Sequence, residues 1–422
     1  MLWQPSLPER YTRMPAAELA REIDDRRARL AGELAILGHH YQVDEIIRHA
    51  DLTGDSLKLS QEAAELVRRQ PGIRTIIFCG VHFMAETADV LTPEHVRVIL
   101  PDLSAGCSMA DMAQYDDTVE AWETIHESLA AQGWRGRVVP ITYVNSSAAI
   151  KAFVGERGGA CCTSSNADAV FDWAMRGGDE PLADGEEVKI LFLPDQHLGR
   201  NTAAKYGLDA RTQTCLYDPK RTARGEALGG ASEDEVVRSK VILWAGHCSV
   251  HKLFRPEHCD EIRAENEALV ARGETPTTIL VHPECCKEVV DKADLAGSTE
   301  YIIKQIEQAE AGSKWAVGTE IHLVNRLAKA AAARGLHVRI LSDCQCLCTT
   351  MYRIDEPHLL WVLDNLCGIG TSNSEAKVVN QVSVHPEARR LALLALERML
   401  KLSPGRMADA PEGEAVGAGS GV

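Results

Sequence analysis

The chain has 422 residues, 45% hydrophobic and 25% charged, room for roughly two to four domains and a composition that excludes a disordered or fibrous chain. Its 61 acidic residues against 45 Lys and Arg leave a formal charge of −16, which repels polyanions and excludes nucleic acid and anionic membranes as partners, though not a local pocket for a small anion. The 13 cysteines come with no secretory signal and no apolar run of the roughly 18 residues a membrane span needs, so a cytoplasmic chain with reduced thiols is expected, in which clustered cysteines read as metal or redox chemistry.

Residues 1–32 carry the amphipathic stretch AAELAREIDDRRARL, expected as one surface helix. Beyond it the apolar runs LAIL, TIIF, VRVIL, VVPITY, VKILFL, KVILWA, TTILV, KWAVG and VRILS alternate with helical periods, the pattern of α/β units with parallel sheets. These runs fall into three segments built on one plan. The expected fold is three pseudo-symmetric parallel-sheet α/β domains around a central cavity, at 33–115, at 116–250 with an insertion at about 206–240, and at 251–370. A C-terminal helical segment at 371–402 and a disordered Gly, Ala, Pro and acid tail at 403–422 complete the expectation.

Each segment opens with a strand ending in a polar cluster (LAILGHHYQ, VVPITYVNSS, TTILVHPECC). A helix and a Ser-bearing turn follow (GDSLKL, CTSSNA, GSTEYI), then a strand ending in GVHFMAET, LPDQHLGRN or GTEIHLVNR. The segments close on Cys107, Cys248 and the SDCQCLC cluster ending at Cys348. His39 to Cys107 is 68 residues and His282 to Cys348 is 66, while Tyr143 to Cys248 is lengthened to 105 by the insertion. Because ligands gather at the carboxyl ends of strands in open α/β sheets, the three polar rims and three cysteines are expected to face one cavity.

Three converging thiolates suit a soft metal centre, zinc or iron-sulfur. Paired Cys-x-x-Cys knuckles of the structural zinc type do not occur, and three cysteines on a cubane would leave one iron open as a Lewis acid. Cys79, Cys161, Cys162, Cys215, Cys259 and Cys367 are expected as core filler. Cys344, Cys346 and Cys348 compete for the third ligand position; alternate residues of an extended segment point one way, which would keep the first two near a centre bound at Cys348. His39 and Tyr41 at one strand end, and His282 with Glu284 at the matching one, suit substrate contact and proton transfer, whereas His40 is expected to face away. Ser56, Ser164, and Ser298 with Thr299 stand where helices begin; such hydroxyls cap the helix by default, and the same helix starts cradle carboxylate or phosphate.

The ordered motifs HHYQ, GDSL, FCGVHFMAETADVL, PDLSAGCSMAD, YVNSSAAIKA, CTSSNA, FLPDQHLGRN, WAGHCSVH, HPEC, AGST and GTE, spread over 34–351, resemble the quinolinate synthase family of bacterial NAD biosynthesis. The resemblance implies a 4Fe-4S cluster on Cys107, Cys248 and Cys348, the last followed by a Cys-x-x-Met pattern. It implies the condensation of iminoaspartate with dihydroxyacetone phosphate to quinolinate, with loss of phosphate and two waters, and a transient contact with the enzyme that supplies iminoaspartate. Tyr41, His282 and Glu284 would be catalytic; His39, Ser56, Tyr143, Asn145, Ser164, His251, Ser298 and Thr299 would bind substrate. The insertion, the helical segment after Pro357 and the Cys-x-Cys-x-Cys cluster resemble a long form of the family. An iron-sulfur redox sensor without turnover and a zinc-dependent hydrolase are the readings set against it.

Overall fold

The computed structural model describes residues 3–371 and 373–403, and each expected apolar run contributes to a strand. Strands β1 (Leu34–His39), β2 (Leu52–Gly54), β3 (Thr75–Cys79) and β4 (Arg97–Ile99) form a first parallel sheet in the order β2-β1-β3-β4. The second sheet takes β5 (Gly136–Tyr143), β6 (Ala160–Cys162), β7 (Glu187–Leu193), β8 (Thr214–Tyr217) and β9 (Val241–Trp244) in the order β6-β5-β7-β9-β8. The third takes β10 (Thr277–Val281), β11 (Leu295–Ala296), β12 (Lys314–Gly318) and β13 (His337–Ile340) in the order β11-β10-β12-β13. Each sheet therefore repeats one winding: the first strand of a segment is flanked by the second and third, and the strand leading to the cysteine lies beyond the third. The central strands are buried on both faces by the helices that connect them, which is why they read as unbroken apolar runs.

The stretch AAELAREIDDRRARL forms one helix, Ala16–Arg29, as expected, and a short helix, Glu9–Thr12, precedes it. Three features differ from expectation. The 206–240 stretch adds β8 to the second sheet and carries the helix Glu233–Arg238, closed by a capping box at Ser232 and Glu235. The 371–402 segment is helical only over Pro386–Lys401; before it, β14 (Gln381–Val382) pairs antiparallel with β4 of the first sheet. Ser403, placed in the disordered tail, is buried, donates to the Met399 carbonyl and accepts from Asn166; residues 404–422 lie outside the described residues. Among the described residues, no helix is long and apolar enough to cross a membrane.

Candidate active site

A cavity of about 660 Å³, counted to its open mouth, is lined by the carboxyl-end loops of all three sheets. β1 ends at His39 and leads to Tyr41, β5 ends at Tyr143 and leads to Asn145, and His282 and Glu284 follow β10, all at the carboxyl ends of the first strands of the repeat. Ser56, Ser164 and Thr299 line the same space, as do Cys107, Cys248 and Cys348. Val81, Phe83, Met84, Met109, Val250 and Met351 add an apolar wall to the cavity.

His39 and His282 share one local device. The backbone N–H of Tyr41 donates to His39 Nδ1 at 3.1 Å, and that of Glu284 donates to His282 Nδ1 at 3.3 Å. With Nδ1 occupied as an acceptor, each neutral ring carries its proton on Nε2, and His282 Nε2 lies 3.2 Å from Ser164 Oγ. Burial, with His40 nearby, pushes His39 down to about 3; burial, with His251 stacked 4.5 Å away, does the same to His282. Both rings are neutral donors at physiological pH rather than imidazolium acids.

Glu284 is the anionic group among them. Burial works against its charge, but the His251 ring beside it, with an Nδ1 contact of 2.7 Å, outweighs that and holds the carboxyl below its ordinary range. Burial first, and the Glu284 charge second, push the Tyr41 and Tyr143 phenols well above their ordinary range, so both keep their protons. The buried Oδ1 of Asn145 has no hydrogen-bond partner among the described residues and is an acceptor left for a bound molecule.

The expected anion-holding turns divide. Thr299 is the first residue of helix Thr299–Glu307 and faces the cavity, while Ser298 caps that helix by accepting from Tyr301 N at 3.3 Å and does not line the space. Ser56 opens helix Ser56–Arg69, whose cap is Asp55, accepting from Lys58 N at 2.9 Å. His251 sits behind the wall, supporting Glu284, and is not itself lining. His40 turns outward as expected, 3.0 Å from Glu300. The sequence reading missed Asp55, Thr163 and Thr350 in the lining; the first is visible in GDSL as a residue with N-cap propensity beside Ser56, whereas the two threonines carry no distinguishing signal.

The thiols sort in a way that the alternation of an extended strand does not anticipate. Cys346 adopts φ 38°, so the segment is not a regular extended strand there: Cys344 is exposed, Cys346 is buried against Ser342 at 3.2 Å, and Cys348 lines the cavity. Of the cysteines expected in the core, Cys79, Cys161, Cys162, Cys215 and Cys259 are buried and Cys367 is half-buried. Burial raises the Cys107 thiol to about 12 and pushes those of Cys248 and Cys348 up as well. Three half-buried thiols lining one cavity from three sheets fit a soft metal centre, whose positive charge is what makes thiolates of them. Ligand atoms of Cys248, His251 and Glu284 also lie within 4.8 Å of one another, a group able to hold a single metal ion.

The family model described as Quinolinate synthetase A protein matches residues 21–401. Proteins named Quinolinate synthase are similar nearly end to end: that of Acidobacterium capsulatum is 48% identical over 394 residues, 93% of this chain and 95% of its own. That of Nocardioides sp. is 51% identical over 383 residues, 90% of this chain and 88% of its own. A Streptomyces coelicolor protein is 45% identical over 399 residues, 94% and 89% of the two chains. With similarity of that extent laid over a threefold fold whose strand ends meet at one cysteine-lined cavity, the chain belongs to the quinolinate synthetase A family.

Proposed function

We propose that the chain is a quinolinate synthase of NAD biosynthesis, condensing iminoaspartate with dihydroxyacetone phosphate to quinolinate with loss of phosphate and two waters, at a 4Fe-4S cluster held by Cys107, Cys248 and Cys348. The observation that carries this reading is the meeting of three thiols with Tyr41, Tyr143, Asn145, His282 and Glu284 on one cavity in a member of this family. When bound, such a cluster supplies one iron without a protein ligand, a Lewis acid that makes hydroxide a better leaving group.

The chain's own residues supply the rest. The hydroxyls of Ser56, Ser164 and Thr299, close to the starts of helices, offer donors to carboxylate or phosphate oxygens, and His39 and His282 add neutral N–H donors that do not lose strength through the physiological range. Glu284 accepts the protons that enolisation and imine formation release, while Tyr41 and Tyr143, still protonated, donate to developing oxyanions. The apolar wall excludes water from the reacting carbons.

A zinc hydrolase built on Cys248, His251 and Glu284 would leave Cys107 and Cys348 without a role, and a sensor without turnover would leave the tyrosines, Asn145 and the three hydroxyls without one. The test is anaerobic reconstitution with iron and sulfide, followed by dihydroxyacetone phosphate and iminoaspartate generated in place. Quinolinate measured by chromatography, in proportion to cluster content, is the expected result. A fully loaded protein that makes no quinolinate would overturn the proposal.

A further inference from the structure

We propose that Glu300 is a positioning residue for substrate binding, whose carboxylate ties the turn that carries Ser56 to the turn that carries Thr299 and so fixes the separation of two cavity hydroxyls; the inference rests on the function proposed above. Glu300 stands one residue after Thr299 in the first turn of helix Thr299–Glu307, and Asp55 stands one residue before Ser56 as the cap of helix Ser56–Arg69. Ser56, Thr299 and Asp55 line the cavity, whereas Glu300 does not. Glu300 Oε1 lies 3.0 Å from His40 Nε2 and 3.7 Å from Lys58 Nζ. His40 in turn donates its backbone N–H to the Gly54 carbonyl at 3.1 Å. One carboxylate of the third segment thus meets the first segment both at the end of β1 and in the first turn of the Ser56 helix.

An ionised carboxylate only accepts, so the proton at the His40 contact sits on Nε2. That contact, against the cost of burial, holds the Glu300 carboxyl below its ordinary range, with Lys58 and the Asp55 backbone N–H acting the same way. Asp55 carries the tie into the second segment. Its Oδ1 accepts from Lys58 N at 2.9 Å, and its Oδ2 accepts from Ser165 Oγ, the neighbour of Ser164, at 3.4 Å. The three hydroxyl-bearing turns are therefore joined through residues that adjoin the hydroxyls: Asp55 beside Ser56, Ser165 beside Ser164 and Glu300 beside Thr299. Hydroxyls held at fixed spacing take up a ligand with more than one anionic group in a single pose without the cost of ordering the turns at that moment. The two contacts of Glu300 are unequal, because Lys58 is exposed and its 3.7 Å pair is weak, whereas the His40 bond is short and more sheltered. The charge of Glu300 opposes an anionic ligand, so what this residue contributes is geometry.

Glu300→Ala removes the tie, whereas Glu300→Gln keeps an acceptor oxygen at the same reach without the charge. In cluster-loaded protein the Ala variant is expected to hold wild-type iron and sulfide, and to raise both the dissociation constant of quinolinate, read by calorimetry, and the KM of at least one substrate about five- to tenfold, with kcat changed less than about twofold. The Gln variant should stay within about twofold of wild type in all of these, as should Lys58→Met, which removes only the exposed pair. In a double-mutant cycle, His40→Phe added to Glu300→Ala should weaken quinolinate binding little beyond Glu300→Ala alone, because the two residues act through one contact. Wild-type quinolinate binding in the Ala variant, a loss confined to kcat, a Gln variant as weak as Ala, or fully additive losses in the cycle would each overturn the proposal. An arm independent of the reaction is amide hydrogen exchange: peptides over 53–58 should exchange at least about tenfold faster in Glu300→Ala than in wild type or Glu300→Gln. Exchange unmoved by Ala refutes the tie. A wild-type protein that neither makes nor binds quinolinate, yet shows this exchange difference, counts against the proposed function and supports the tie.

Discussion

A histidine whose Nδ1 accepts the backbone N–H two residues later lines the cavity at His39 and again at His282, and in both places burial keeps the ring neutral to about pH 3. The consequence for stability has a definite sign. The folded chain refuses a proton that the unfolded chain takes up below about pH 6.5, so each ring contributes stability that is present above that pH and is lost as the pH falls toward 3. Between pH 6.5 and 5 the loss is roughly 2 kcal/mol per ring, at about 1.4 kcal/mol per pH unit. His39→Gln should therefore narrow the difference in urea-unfolding free energy between pH 7 and pH 5 by about that amount; a difference equal to wild type would count against a neutral His39. The cysteines make a second residue-scale case, because the left-handed backbone at Cys346 separates three side chains that an extended segment would align. Cys348→Ser is expected to lose most bound iron, Cys344→Ser to keep it, and Cys346→Ser to keep it while losing stability at a buried position. Iron per chain after reconstitution reads this directly, and a Cys348→Ser protein with a full complement of iron would refute the assignment.

At the scale of elements, the C-terminal helix Pro386–Lys401 shows how a segment remote in sequence supports the cavity. It packs on helix Ala148–Glu156 at Gly155, where an added Cβ would come within 2.1 Å of the Leu391 carbonyl oxygen. At its far end the Asn166 amide donates to the Met399 carbonyl at 3.2 Å and to Ser403 Oγ at 2.9 Å, while Asn166 Oδ1 accepts from Thr163 N at 2.7 Å, which sets the turn that carries Ser164. Gly155→Ala should cost about 1 to 3 kcal/mol by urea unfolding, since backbone has to move, and should raise KM by displacing that turn. Gly158→Ala, with open space around its φ of +73°, should cost only the left-handed strain of about 1 kcal/mol; equal costs would refute the packing argument. None of this support is legible in sequence, where PEARRLALLALERMLK reads as an amphipathic helix without an address. The long central strands and their polar ends were legible, because both-face burial writes continuous apolar runs and the repeat places the His, Tyr and Glu at matching points. Strands β2, β6 and β11 were not: two or three residues carry no periodicity, and they exist because a neighbouring edge offers them partners.

For the whole molecule, the cavity exists only while the first and third segments stay docked, and Arg326 is one of the side chains that bridge them. Arg326, on helix Ile321–Ala332, donates from Nη1 to the His40 carbonyl at 2.9 Å and from Nη2 to the Gln42 carbonyl at 2.5 Å, gripping both neighbours of Tyr41; its Nε pairs with Asp44 at 2.9 Å. The two kinds of contact are unequal. The ion pair to Asp44 is half exposed and shared with Lys329, so it is worth less than about 1 kcal/mol. The carbonyl contacts are charge-assisted and sheltered, and a guanidinium fork meets two acceptors that a lysine ammonium at the same place does not span. Arg326→Lys, which keeps the charge, should therefore lower kcat/KM by about tenfold, roughly 1.4 kcal/mol of lost positioning of the Tyr41 loop, and should expose the segment following β1 to limited proteolysis. Asp44→Asn, which removes only the ion pair, should change kcat/KM by less than about twofold. If the two substitutions were equally harmful, charge rather than the carbonyl grip would be holding the segments together, and the account of how Tyr41 is placed would have to be abandoned.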